Sequence, residues 1–221
     1  MNPALFAGLL VFAIVSSATP GPNNLMMMAS GATFGLKRTL PHMTGVILGF
    51  GGMTAAVGLG VAQIFVVAPW LYAVLRWGSA AYLLYIAYRM VTAKGAGTGY
   101  GYQKPMSFLG AVAFQWINPK AWFMALAATT TYAQAGRLTA DVIIIALTFM
   151  LVNIPCALTW TAFGVNIRKW LKKPNHLKAF NWTMAALLIL SLYPLVTEPL
   201  GATRRPDAAS PGHPAVLSPA R

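Results

Sequence analysis

The stretch Thr19-Pro20-Gly21-Pro22-Asn23-Asn24 interrupts an apolar run that begins at Ala4 and ends at the pair Lys37-Arg38. As one continuous helix that run would measure about 50 Å at about 1.5 Å per residue, against a hydrocarbon slab of about 30 Å. The segment therefore has to tilt or break. Pro20 and Pro22 each lack an amide donor and crowd the preceding turn, and Gly21 between them tolerates unusual dihedrals, so the break belongs there, near the middle of the run. Irregular backbone at membrane depth survives only where protein or a water-filled cavity satisfies its polar groups, and Asn23 and Asn24 add polar side chains at the same level. Broken midplane helices of this kind are where transporters bind their cargo.

The rest of the composition fits a membrane setting. Of 221 residues 57% are hydrophobic and only 9% charged, more apolar than a water-soluble domain of this size needs for its core. The formal charge of +13 would suit a nucleic-acid partner, but its distribution argues against one. Lys37 and Arg38, then Arg89, Lys94 and Lys104, then Arg168, Lys169, Lys172, Lys173 and Lys178 fall in three short gaps between apolar runs, the pattern of cytoplasmic loops. Cys156 is the sole cysteine, so neither an intramolecular disulfide nor a thiol pair for redox relay is available. Ser16-Ser17-Ala18 resembles a signal-peptide cleavage site, yet no Lys or Arg precedes Lys37, and a retained first helix is expected.

Hydropathy with the spanning-length rule predicts six spans, over 4–34, 39–67, 72–91, 106–132, 140–167 and 180–196. The first is broken at TPGPNN and the fourth at Asn118-Pro119-Lys120. Residues 94–104, KGAGTGYGYQK, are too glycine-rich to hold a helix and read as a cytoplasmic linker; residues 201–221 read as a disordered tail. The expected fold is an all-α integral membrane protein with six transmembrane helices as a 3+3 inverted repeat, residues 1–93 forming the first three-helix repeat and 105–200 the second. Three spans per half invert one half relative to the other. Trp77 followed by Ala80, Ala81, Leu83 and Leu84 is matched by Trp182 followed by Ala185, Ala186, Leu188 and Ile189. With the basic clusters in the cytoplasm, the gaps near Pro69 and Arg137 and both termini lie outside, against which Arg204 and Arg205 stand as the exception.

Asn118-Pro119 has the chemistry of a helix start, an asparagine cap followed by proline at the first helical position. That puts Lys120 in the first turn, where a cation meets the positive end of the helix dipole at membrane depth. Such a lysine needs an anion in the same site or loses its charge; the plainer alternative is a side chain that snorkels to an interface. The expectation is a cargo carboxylate held by Lys120 and by the half-helix amides after Pro22 and Pro119, with Asn23, Asn24, Gln115, Asn118 and Asn153 supplying neutral polar contacts. Any one of these amides could instead be interhelical glue. Gly31, Gly35, Gly45, Gly49, Gly51, Gly52, Gly58 and Gly60 read as close-packing faces, and His42 as structural or as a proton site.

Residues 17–50, SATPGPNNLMMMASGATFGLKRTLPHMTGVILGF, resemble the start of the LysE-type amino-acid exporters, the lysine and homoserine/threonine efflux family. RWGSAAYLLYIAYRM from Arg76, KPMSFLGAVAFQWINPKAWF from Lys104 and the basic segment before the sixth span resemble it too, so the likeness covers 1–200. TPGPNN together with KPMSF and FQW is most similar to the branch that exports cysteine and O-acetylserine. What the resemblance implies is an inner-membrane secondary exporter of amino acids or close derivatives, proton-coupled, neither an enzyme nor dependent on a cofactor. Members of that family carry an acidic residue in the fifth span where this chain has Asn153, so Lys120 or His42 would have to carry the proton.

The expected partners are a small amino-acid cargo and the lipid bilayer, with no nucleic acid and with a homodimer left open. Two rivals lack residues. A membrane enzyme or redox carrier needs a cysteine pair, histidine cluster or paired carboxylates at membrane depth, and a divalent-metal exporter needs hard or soft ligands there. A non-transporting membrane partner or assembly protein is the alternative that residue types leave standing.

Overall fold

The computed structural model describes residues 1–92 and 104–193. Among these there are nine α-helices, three short 3-10 turns and no strand. Residues 93–103 and 194–221 lie outside, and with them all of the expected linker except Lys104, the end of the second repeat and the expected tail.

Helix α1 spans Pro3–Ala18, started by Asn2, whose Oδ1 accepts the Leu5 N–H at 2.8 Å, and by Pro3 at a position that needs no donor. Helix α2, Pro22–Phe34, follows after a bend of 52°. Gly35 then turns the chain at φ 80°, in the left-handed region that favours glycine, into α3, Leu36–Gly58.

The second span is shorter than hydropathy suggests. Gly60 adopts φ 117°, the helix stops at Gly58, and Val61–Gln63 and the four-residue α4, Ile64–Val67, complete the apolar stretch. Side-chain hydropathy is uniform across that point, while the stop is a backbone event.

Helix α5 covers Trp70–Val91. The second broken span is α6, Phe108–Ile117, and α7, Pro119–Tyr132; it is followed by α8, Leu138–Ile167, which runs unbroken through Pro155. Helix α9 begins at Pro174, earlier than the expected 180, because a proline start carries a polar first turn that a hydropathy window misses, and it ends at Leu190.

Helices α3 and α8 are each long and apolar enough to cross a bilayer, and α1 with α2 qualifies as one bent span. Large apolar side chains such as Val66, Leu109 and Leu151 are exposed around the outside. The chain is a multi-pass membrane protein.

Helix α3 packs on α8, and α5 on α9. Helices α1 and α2 lie against α8, as α6 and α7 lie against α3. Glycine permits the closest approaches: a Cβ on Gly31 would meet the Thr161 carbonyl, one on Gly164 the Met28 carbonyl, and one on Gly45 would sit 2.5 Å from Phe108 O. Gly35 and Gly60 are turn formers, and a Cβ on Gly52 would meet nothing within 4 Å among the described residues, so those three do not serve the packing expected of them. One core gathers Leu9, Phe50, Trp122 and Phe149 from α1, α3, α7 and α8, with Phe149 edge-on to Phe50. Another joins α2, α5 and α9 through Leu25, Leu83 and Leu188.

Candidate functional site

The last turn of α1 has carbonyls that a continuing helix would have satisfied. Pro20 and Pro22 cannot donate to them. Asn24 does so from the next helix: its Nδ2 donates to Ser17 O at 2.7 Å and to Thr19 O at 3.0 Å. The second break is built differently. Asn118 caps α7, its Oδ1 accepting the Lys120 N–H at 3.1 Å, while Pro119 takes the first helical position. The loose carbonyls of α6 are taken by packed neighbours, Trp116 O by Trp122 Nε1 at 2.9 Å and Ile117 O by the Ser79 hydroxyl of α5.

The two breaks meet. Lys120 Nζ crosses from α7 and donates to Thr19 O at 2.6 Å, a charge-assisted length. Asn23 and Gln115 exchange amide hydrogen bonds, Asn23 Nδ2 to Gln115 Oε1 at 2.8 Å and Gln115 Nε2 to Asn23 Oδ1 at 3.3 Å. Gln115 is fully buried and also donates to Ala111 O, so its amide is held from both sides. Gly21 leaves room for the lysine stem, since a Cβ there would lie 2.8 Å from Lys120 Cδ.

Between the breaks is a partly open cavity, with about 360 Å³ of empty space when the open solvent at its mouth is counted. Gly21, Asn23, Asn24, Asn118, Lys120 and Asn153 line it. Pro20, Pro22 and Pro119 shape the breaks without lining it, and Gln115 stands behind Asn23. Ser16, Ser17, Val46, Phe50, Ala121 and Met124 complete the wall. Of these the serines had a signal, being the last turn before TPGPNN; Phe50 and Met124 are apolar residues in apolar helices with nothing to single them out.

Two polar atoms at this cavity have no hydrogen-bond partner among the described residues: Ser17 Oγ, on a residue 4% exposed, and Asn153 Nδ2. Among the described lining residues Lys120 carries the only charge, and none is His, Cys, Asp or Glu. This donor set suits a small polar organic molecule with an anionic group and, among the described residues, offers a metal ion no carboxylate, imidazole or thiolate ligand. His42 is buried in α3 and is not one of the lining residues, with both ring nitrogens unpartnered among the described residues. Asp141, the one acidic residue among those described, accepts from Gln134 N–H at the start of α8 and is likewise not part of the cavity.

The LysE type translocator family profile matches residues 14–196, a range that contains every residue of this cavity. The chain belongs to that family. As a LysE-type translocator it is a transporter and not an enzyme. It is 26% identical over 199 residues to a cysteine/O-acetylserine efflux protein of Klebsiella pneumoniae subsp. pneumoniae, covering 90% of this chain and 100% of that one. It is 29% identical over 133 residues to the protein of that name in Escherichia coli O157:H7, and 28% identical over 133 residues to that of strain K12, in each case 60% of this chain and 67% of the relative. These relatives are of the branch that TPGPNN, KPMSF and FQW resemble. No solved structure matches this LysE-type translocator.

Proposed function

We propose that this chain is a secondary exporter of amino acids or close derivatives across the inner membrane, working by alternating access around the cavity between the two breaks. The observation that carries the reading is the meeting of the breaks at Lys120. A cation and neutral amide side chains converge at the starts of two half-helices on a small polar chamber inside an apolar protein, which is the chemistry a zwitterion needs. The names of the relatives point to cysteine and O-acetylserine as the cargo to test first.

The 3+3 inverted repeat is supported by packing that survives exchange of the halves, with α3 on α8, α5 on α9, and each broken span against the second helix of the other half. The burial pattern of the third spans agrees position by position. Trp77 and Trp182 are exposed, Ala80 and Ala185 buried, Ala81 and Ala186 exposed, Leu83 and Leu188 buried, Leu84 and Ile189 exposed. A cytoplasmic location of the basic loops is supported by the proximity of the α2–α3 turn to the end of α8, where a Cβ on Gly35 would lie 4.0 Å from Arg168 Nη1.

Proton antiport would drive export, with Lys120 or the unpartnered His42 as carrier in place of a carboxylate. The lining favours an amino acid over a divalent metal, since it offers an ammonium where a metal exporter needs anionic or imidazole ligands.

Efflux of labelled cysteine from proteoliposomes tests the reading. Wild-type protein should empty loaded vesicles, and Lys120→Ala should abolish efflux while still inserting. Wild-type vesicles that retain every amino acid tried would leave a non-transporting partner as the reading, and wild-type rates from Lys120→Ala would remove the lysine from the site.

A further inference from the structure

Building on the export reading, we infer that Lys120 is a tethered stand-in for the ammonium group of the cargo. An α-amino acid entering the cavity transfers its own ammonium onto Thr19 O, and the displaced Lys120 Nζ pairs with the carboxylate of the same molecule.

The inference starts from which acceptors at the breaks can change hands. Trp116 O and Ile117 O are held by Trp122 and Ser79, residues fixed by packing. Ser17 O is held by Asn24, whose amide is anchored on Ser17 O and, at 3.0 Å, on one lone pair of Thr19 O. Thr19 O alone of these takes a donor from a long flexible side chain, the 2.6 Å bond from Lys120 Nζ. That donor is a primary ammonium, the same group that an amino acid carries.

No carboxylate lines the cavity among the described residues, so an incoming ammonium finds no resident counter-ion. It has to take a neutral oxygen, and among the carbonyls at the breaks the exchangeable one is Thr19 O. Ser17 Oγ, buried and without a partner among the described residues, is two residues away on the same wall and can accept a second N–H.

The swap conserves interactions. One ammonium leaves Thr19 O as another arrives, and the freed cation meets the carboxylate that came with it. It also does mechanical work, because the Lys120 to Thr19 bond ties the second broken span to the first. That bond is one of two ties between the breaks, the other being the Asn23–Gln115 pair, and a molecule bearing both charged groups is what releases the lysine tie. Carboxylates without a free amine cannot displace Lys120, and simple amines leave its charge unpaired.

The test uses the purified full chain and thermal stabilisation by ligand. The probes are L-cysteine, L-serine and L-threonine, each beside its N-acetyl derivative, together with ethylammonium. On wild-type protein at least one free amino acid should raise Tm, its N-acetyl derivative should bind at least about tenfold more weakly, and ethylammonium should be silent. On Lys120→Met, which frees the lone pair of Thr19 O that Lys120 holds while Asn24 keeps the other, the amino acid should lose its effect and ethylammonium should gain one.

N-acetyl derivatives as effective as the free amino acids on wild-type protein, or ethylammonium silent on folded Lys120→Met, would overturn the inference while leaving export intact. If Lys120→Met does not fold, the wild-type comparison decides alone. Wild-type protein that neither binds nor exports any of the amino acids overturns the export reading and this inference with it.

Discussion

At the scale of single residues the site depends on how closely Gly21 and Lys120 approach. Gly21 is extended, with φ −172°, a conformation alanine also adopts, so Gly21→Ala imposes no backbone strain. Its methyl would nonetheless lie 2.8 Å from Lys120 Cδ and 3.1 Å from Nζ, inside van der Waals contact. The lysine is flexible and gives way, which moves its ammonium off Thr19 O. A charge-assisted hydrogen bond contributes about 1.5–3 kcal/mol, so Gly21→Ala should lower Tm by several degrees, at about 2–4 °C per kcal/mol for a chain of this length, and export should fall by about tenfold or more. Proteoliposome efflux and a thermal melt on the same preparation check this, and unchanged efflux would mean that the bond does not matter to transport. That Gly21, Asn118 and Lys120 lie at the helix breaks was legible in the sequence because proline, glycine and a midspan lysine announce themselves locally. What Lys120 touches was not: its partner is a carbonyl 101 residues away, and Phe50 and Met124 reach the cavity through the same long-range packing.

At the scale of helices the contact of α2 with α8 is governed by two glycines that face each other's backbone. Gly164→Ala sets two effects of opposite sign against one another. Replacing a helical glycine by alanine is worth about 1 kcal/mol of helix propensity in favour of the variant. The new methyl, however, would overlap the Met28 carbonyl, and a backbone group in the middle of α2 cannot swing aside as a side chain does. Overpacking costs about 1–3 kcal/mol when side chains can adjust, and more here, so the clash wins. Gly164→Ala should lower Tm and the yield of folded protein, whereas Gly52→Ala, with nothing within 4 Å of its Cβ among the described residues, should hold or raise Tm. Equal behaviour of the two variants in detergent melts would show that α2 and α8 do not approach this closely. The helices themselves were legible where proline or an asparagine cap marks an end, as at both breaks. They were not legible at Gly58 and Pro174, where the end is set by a left-handed glycine or a polar first turn that hydropathy averages away.

At the scale of the whole molecule the charge distribution decides which way the protein faces. Lys37 and Arg38 open α3, Arg89 lies in the last turn of α5, Lys104 precedes α6, and Arg168, Lys169, Lys173 and Lys178 surround the α8–α9 connection. Asp141, the one acidic residue among those described, is at the opposite end of α8. Moving each of these cations across a membrane potential costs about 2.3 kcal/mol per 100 mV, and anionic lipids on the cytoplasmic leaflet add about 1 kcal/mol each. Such sums exceed what Arg137 and the three tail arginines offer in the other direction, so the basic loops should be cytoplasmic. The single native cysteine makes the test simple, because Cys156→Ala leaves a background with no thiol. On that background Gly136→Cys, at an exposed position in the turn before α8, should react with a membrane-impermeant maleimide in intact cells. Lys169→Cys, exposed at the far end of α8, should react only after the cells are permeabilised. The reverse pattern would invert the protein and place the cavity's route the wrong way round for export, and labelling of both in intact cells would mean that α8 does not cross the membrane.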